Sequence, residues 1–217
     1  MESRIANCRL LTGALALMLA GSVAHGADVI DRVLAIVGGA MITLTDVTAA
    51  RDLGLIAIAD PADADPVRDI LPRLIDRELI LAEVDRYAPP EPSAEAVDAE
   101  MLVVRERFAT NEAFQTALTR SGINESHLRE TLRQNLRIQA YLDQRFGTPV
   151  FTDDELGRYY REHLPAFTRD GTVVPFETAR QQVVQAATAD RRQQLVDEWV
   201  AGLRRRTDII DLSVTQR

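Results

Sequence analysis

Strongly β-prone runs stand at the two ends of this chain, and helical spacing dominates the stretch between them. Residues 29–37 hold Val29, Ile30, Val33, Ile36 and Val37. Gly38-Gly39 follows, and Met41-Ile42-Thr43-Leu44 resumes the apolar pattern. Two apolar runs flanking Gly-Gly predict a hairpin, because a two-residue turn needs positive φ at its centre. Far downstream, Ile209-Ile210-Asp211-Leu212-Ser213-Val214 reads as one more strand. A lone hairpin is marginal in water, whereas a third strand helps complete a small sheet. The simplest solution pairs residues 209–214 with residues 29–37. The two ends then meet, and the middle is held as one closed unit.

That middle is helical by its spacing. Thr45-Asp46 predicts a cap for a helix from about Val47, and Asp60 to Asp65 is a loop. Asp65-Pro66 opens a second helix, with Asp as N-cap and Pro at its first position. There Ile70, Leu71, Leu74, Ile75, Ile80, Leu81 and Val84 recur at helical spacing until Pro89-Pro90-Glu91-Pro92 ends it. Ser93 caps a third helix to about Phe108, and a short fourth runs from near Thr110-Asn111 through Leu118. Asn124 caps a fifth, whose face carries Leu128, Leu132, Leu136, Tyr141 and Leu142. Thr152 and Glu155 form a capping-box pattern for a sixth, which contains Tyr159 and Tyr160 and ends near Phe167. Asp170-Gly171 is a turn. Pro175-Phe176-Glu177 opens the last helix, which runs to about Arg206. Its apolar side includes Val196, Trp199, Val200 and Leu203, and Trp199 is expected to be buried with its N–H partnered. The fold class is therefore mostly α, a helical core closed by a small sheet of the N-terminal hairpin plus the C-terminal strand.

The first 26 residues have the pattern of an export signal. Arg4 and Arg9 precede the apolar run Leu10 to Ala20, and Ala24-His25-Gly26 supplies small residues for cleavage between Gly26 and Ala27. The run is shorter than the roughly 20 residues a bilayer span takes, so no stable membrane insertion is expected after cleavage. The expected organisation is a signal at 1–26 and a single domain at 27–217, located in the periplasm. The only cysteine, Cys8, lies inside the signal. Disulfides, thiol catalysis and cysteine–zinc sites are thus excluded from the rest of the chain. Net charge is −8, and all 25 basic residues are arginine. Such an acidic chain is poorly suited to nucleic acid, whose binding rests on cationic phosphate contacts.

Several motifs, in order along the chain, carry a resemblance. Asp31-Arg32-Val33-Leu34-Ala35-Ile36-Val37-Gly38-Gly39 with Ile42-Thr43-Leu44-Thr45-Asp46-Val47 resembles the opening of the SurA, PrsA and PpiD family of exported chaperones. Leu74-Ile75-Asp76-Arg77-Glu78-Leu79-Ile80 and Leu128-Arg129-Glu130-Thr131-Leu132-Arg133 are similar to two of its helices. Phe151-Thr152-Asp153-Asp154-Glu155-Leu156 with Tyr159-Tyr160 resembles its paired-tyrosine element, and Pro175-Phe176-Glu177 its C-terminal helix. In that family a parvulin-type prolyl isomerase domain usually follows the paired tyrosines. Here only Thr168 to Val174 separate the 27–167 segment from the 175–217 segment. The resemblance therefore implies the N-terminal chaperone core alone. It would act as an ATP-independent holdase that binds unfolded exported polypeptides, outer-membrane β-barrel precursors among them, with no cofactor and no catalysis.

The remaining residues fit that expectation. A parvulin site needs paired histidines. This chain has His25, inside the signal, with His127 and His163 on separate helices. No metal, nucleotide or nucleophile motif is present. Asp153-Asp154-Glu155 reads as a helix cap. Arg204-Arg205-Arg206 reads as a favourable helix end, with a membrane-surface patch as the alternative. Met101, Phe108, Phe114 and Tyr141 lie on amphipathic helices. They are the candidate client-binding residues, with ordinary core packing as the competing reading. A rival function is a non-catalytic adaptor or structural subunit that grips one folded partner.

Overall fold

The computed structural model describes residues 31–56 and 65–213. The expected signal with its expected cleavage between Gly26 and Ala27, Val29 and Ile30, the loop at 60–64 and Val214 lie outside the described residues. Strands β1 (Val33–Val37) and β2 (Ala40–Thr43) form the expected hairpin. Gly38 and Gly39 take φ of 56° and 96°, the left-handed region that this tight turn demands and that side chains disfavour. At the other end of the chain, the last strand, β5 (Ile209–Asp211), adds antiparallel to β1, so the sheet order is β2-β1-β5. Val37 faces Ile209 and Ala35 faces Asp211. Two further bonds extend the pairing, Gly38 N to Asp208 O at 3.0 Å and Leu212 N to Leu34 O at 2.9 Å.

Helix α1 (Leu44–Asp52) begins earlier than its expected start near Val47, and its cap is Thr43 rather than Thr45-Asp46. Asp46 instead takes the third helical position. Thr43 Oγ1 accepts from Asp46 N at 3.3 Å, and Asp46 Oδ2 accepts from Thr43 N at 2.8 Å. This reciprocal pair satisfies two donors that a helix start leaves orphaned. Then come α2 (Pro66–Tyr87), α3 (Ala94–Arg105), α4 (Asn111–Ser121), α5 (Glu125–Phe146) and α6 (Asp153–Glu162). Asp65, Ser93, Thr110, Asn124 and Thr152 cap them through their side chains. Helix α3 stops at Arg105, short of the expected Phe108. Its last turn tightens, with Arg107 N bonded to Val104 O and Phe108 N to Arg105 O. The freed Arg107 guanidinium reaches Leu53 O at 3.0 Å and ties the end of α1.

A 3₁₀ turn (Leu164–Phe167) leads into β3 (Thr168–Arg169) and β4 (Thr172–Val173), a small hairpin around Asp170-Gly171. Its two-residue strands are too short to leave a periodic signal. Helix α7 (Phe176–Arg206) then returns the chain to the sheet.

Apolar side chains gather in four places. The sheet's inner face, α1, α2 and Leu203 enclose one cluster. Helices α1, α3, α4 and α5 enclose a second around Phe114 and Leu128. The third joins Ile80, Leu81 and Val84 of α2 to Tyr141 of α5 and Val200 of α7. The fourth sits on the N-terminal half of α7, where Leu156, Phe167, Ala179, Val183 and Ala187 meet. Closure at β1–β5 sets the end of α7. Deleting residues 209–217 should therefore lower the melting temperature by several degrees and broaden the calorimetric transition. An unchanged melt would contradict the closed sheet.

Candidate functional site

One face of α7 is left partly open. From Val184 to Arg204 the residues Val184, Thr188, Ala189, Arg192, Val196, Val200 and Ala201 line two cavities of about 590 and 690 Å³. Helical rise makes this face about 30 Å long. In the first cavity Leu142 of α5 stands opposite. In the second, Ile80 of α2 and Ile138 of α5 do. Gln193 and Val196 line both, so the two are neighbouring parts of one groove. Val184 and Ala201 are exposed within it, while Ile80 and Val200 are buried at its base. Small residues on α7 keep the groove open, and Gln185, Gln193 and Asn135 place side-chain amides along it. Amides both donate and accept.

Ion pairs hold the groove's walls in place. Arg204 Nε lies 2.6 Å from Asp76 Oδ1, and its Nη2 donates to Pro72 O at 2.9 Å. Glu83, buried in α2, takes Arg86 at 2.9 Å and Arg206 at 3.1 Å. Two of the three arginines at the end of α7 thus fasten it to α2. Arg192 pairs with Asp143 of α5. A more enclosed cavity of about 250 Å³ lies between α1, α2 and α5, and shares Arg77 and Asn135 with the groove.

The four apolar residues expected to meet a ligand lie elsewhere. Met101 is 3% exposed and Phe114 0%, both inside the cluster of α1, α3, α4 and α5, with Phe108 half-buried against it. Tyr141, 6% exposed, is packed between α2 and α7. Neighbouring helices cover the faces that Met101, Phe114 and Tyr141 occupy, the arrangement of the core-packing alternative. Trp199 departs the other way. It is only half-buried, with its ring 5.7 Å from Phe146 and 5.9 Å from Tyr141, and the Arg145 guanidinium 5.0 Å from its centroid. Groove residues such as Val184, Ala189 and Ala201 carry no signal of their own in a sequence. Only their common periodicity along α7 could have marked them.

His127 and His163 stand on α5 and at the end of α6, and no side-chain contact joins them. Among the described residues no group of three or more His, Cys, Asp or Glu side chains converges as a metal site. No described helix is long and apolar enough to cross a membrane. The paired tyrosines are structural anchors. Tyr160 Oη donates to Val174 O at 2.6 Å and closes the β3–β4 hairpin, while Tyr159 Oη donates to Asp190 of α7 and its ring stacks on His163.

No family model and no curated protein matches the sequence. The three-dimensional arrangement does find a counterpart. A chain described with PEB4 and Cj1289, two structurally related SurA-like chaperones of Campylobacter jejuni, superposes with a TM-score of 0.51. The match is 14% identical and covers 83% of this chain and 99% of that one. The fold is that of a SurA-like chaperone. Within it, Thr168 to Val174 are the β3–β4 hairpin and its short exit.

Tyr159 yields a pH test. Burial first, then the hydrogen bond and negative charge of Asp190, push its phenol up to about 12. A folded pKa above the ordinary value near 10 stabilises the protein fully below pH 10, and that contribution is lost as pH rises towards 12. In a phenolate absorbance titration a late ionisation step is expected, and Tyr159→Phe should remove it. The stability gap between the two proteins should shrink between pH 10 and 12. The absence of a late step that depends on Tyr159 would contradict its bond to Asp190.

Proposed function

We propose that this protein is an ATP-independent periplasmic holdase. It binds unfolded exported polypeptides, outer-membrane β-barrel precursors among them, without catalysing prolyl isomerisation. The observation that carries the reading is the groove along α7. Its length suits about nine residues of extended chain at roughly 3.3 Å each. Its apolar base at Ile80, Ile138, Val196 and Val200 can cover alternate side chains of such a segment, and its amides can meet the main chain. Contacts of this kind are individually weak and tolerant of sequence. Binding the unfolded state by mass action delays aggregation and needs no nucleotide. The SurA-like fold supports the same reading, as does the short hairpin at the point where relatives insert a catalytic domain. In this account residues 1–26 are the export signal and residues 27–217 one chaperone domain.

Val184 and Ala201 are exposed, so charges there should leave folding within about 0.5 kcal/mol of wild type. The Val184→Glu/Ala201→Glu protein should lose at least tenfold in affinity for a chemically denatured client, read by fluorescence anisotropy, and should no longer suppress its aggregation by light scattering. Micromolar binding to many unfolded chains marks a holdase. Tight binding to one folded protein, indifferent to these two charges, would mark the adaptor instead. In a proline-peptide assay the pure protein should give the uncatalysed rate, and acceleration lost on mutating His127 or His163 would overturn the non-catalytic reading.

A further inference from the structure

We propose that the enclosed cavity between α1, α2 and α5 is a socket for one basic side chain, a guanidinium or ammonium on an apolar stem, presented by a polypeptide lying in the groove. The source of that side chain rests on the polypeptide-binding reading, but the chemistry of the socket does not. At about 250 Å³ the cavity is smaller than ordinary small-molecule sites, which start near ~300 Å³, and suits a single long side chain. Part of its lining is apolar, with Met41, Ile42, Leu55, Leu74 and Ile123 among the residues. A Lys or Arg stem lies comfortably along such walls while its head seeks polar partners.

The lining also carries two carboxylates, Asp46 and Glu78, against one arginine, Arg77, whose three nitrogens each already donate a hydrogen bond. Arg77 donates to Glu78 Oε1 at 2.7 Å, to Asn135 Oδ1 at 2.9 Å and to Gln134 Oε1 at 2.7 Å. Among the described residues no hydrogen bond reaches Glu78 Oε2. Asp46 spends Oδ2 on its helix cap, and among the described residues no hydrogen bond reaches its Oδ1. Burial pushes the Glu78 carboxyl up, and the Arg77 charge and hydrogen bond do not bring it back down. Asp46 and Asp85 add to the rise. What the cavity lacks is a second positive group. His127 and Thr131 complete the α5 wall and add further hydrogen-bonding capacity. The net charge of −8 draws cations towards the surface in general. The cavity and the groove share Arg77 and Asn135, so a segment in the groove can turn one residue into the socket.

The test uses benzamidinium and its neutral isostere benzamide on the full protein, followed by chemical-shift titration at neutral pH. Benzamidinium should bind at least tenfold more tightly than benzamide, with shifts centred on residues 46, 78, 127 and 131. Glu78→Gln should erase the preference. Thr131→Met, which fills the cavity from α5, should weaken both probes and keeps the test open if Glu78→Gln fails to fold. Equal binding of the two probes, no binding, or a preference that survives in folded Glu78→Gln protein would overturn the socket. A neutral donor preferred over the cation would do the same. Because the probes are small molecules, such a failure leaves the groove's affinity for unfolded chains to be judged separately by the Val184→Glu/Ala201→Glu protein.

Discussion

The pairing of β5 with β1 is the constraint on which the rest of the architecture depends. Three residue pairs join segments more than 170 positions apart in the chain. Loop-closure cost rises only slowly with length, and Ile209 contributes to the sheet's apolar face, so the pairing needs few bonds to hold. Once β5 is docked, the end of α7 is set beside α2, and Arg204 and Arg206 lock it there through Asp76 and Glu83. The 31 residues of α7 then extend about 46 Å. They pass the cluster shared with α2 and α5 and reach the separate one that packs Leu156 and Phe167. One helix thereby serves the closed core, the groove and the satellite cluster.

Several polar residues near the groove and core make structural bonds. Tyr160 ties a hairpin, Asp46 caps a helix, and two arginines at the end of α7 join helices. What is left over is surface, a shallow apolar channel edged by amides and by charges already in pairs. On the proposed holdase reading, such a surface rewards any extended chain with apolar side chains. It gives little selectivity beyond the single charge preference inferred for the smaller cavity.

Much of the fold was legible because its signals are local. Gly38-Gly39 announces the turn, and Asp65, Ser93, Asn124 and Thr152 announce helix starts, since each acts through bonds within a few residues. The start of α1 was misplaced because an aspartate at the third helical position serves a capping box as well as the more usual glutamate does. The site was far less legible. Met101, Phe114 and Tyr141 looked like candidate binding residues, but which faces are covered depends on where α1, α2, α4 and α7 come to rest, a long-range property no local pattern records. Conversely, Val184 and Ala201 are unremarkable in sequence and become notable only because α2 and α5 leave the facing space unfilled.

The central claim is that the face of α7 between Val184 and Arg204 holds unfolded polypeptide. Photo-crosslinking tests it most directly. A photoreactive residue is placed in turn at Val184, at Ala201 and at Leu102, the last 57% exposed on α3 and outside the groove. On irradiation with a denatured client, crosslinks are expected from positions 184 and 201 and not from 102. Equal yields from all three, or capture at 102 alone, would contradict the groove as the binding surface.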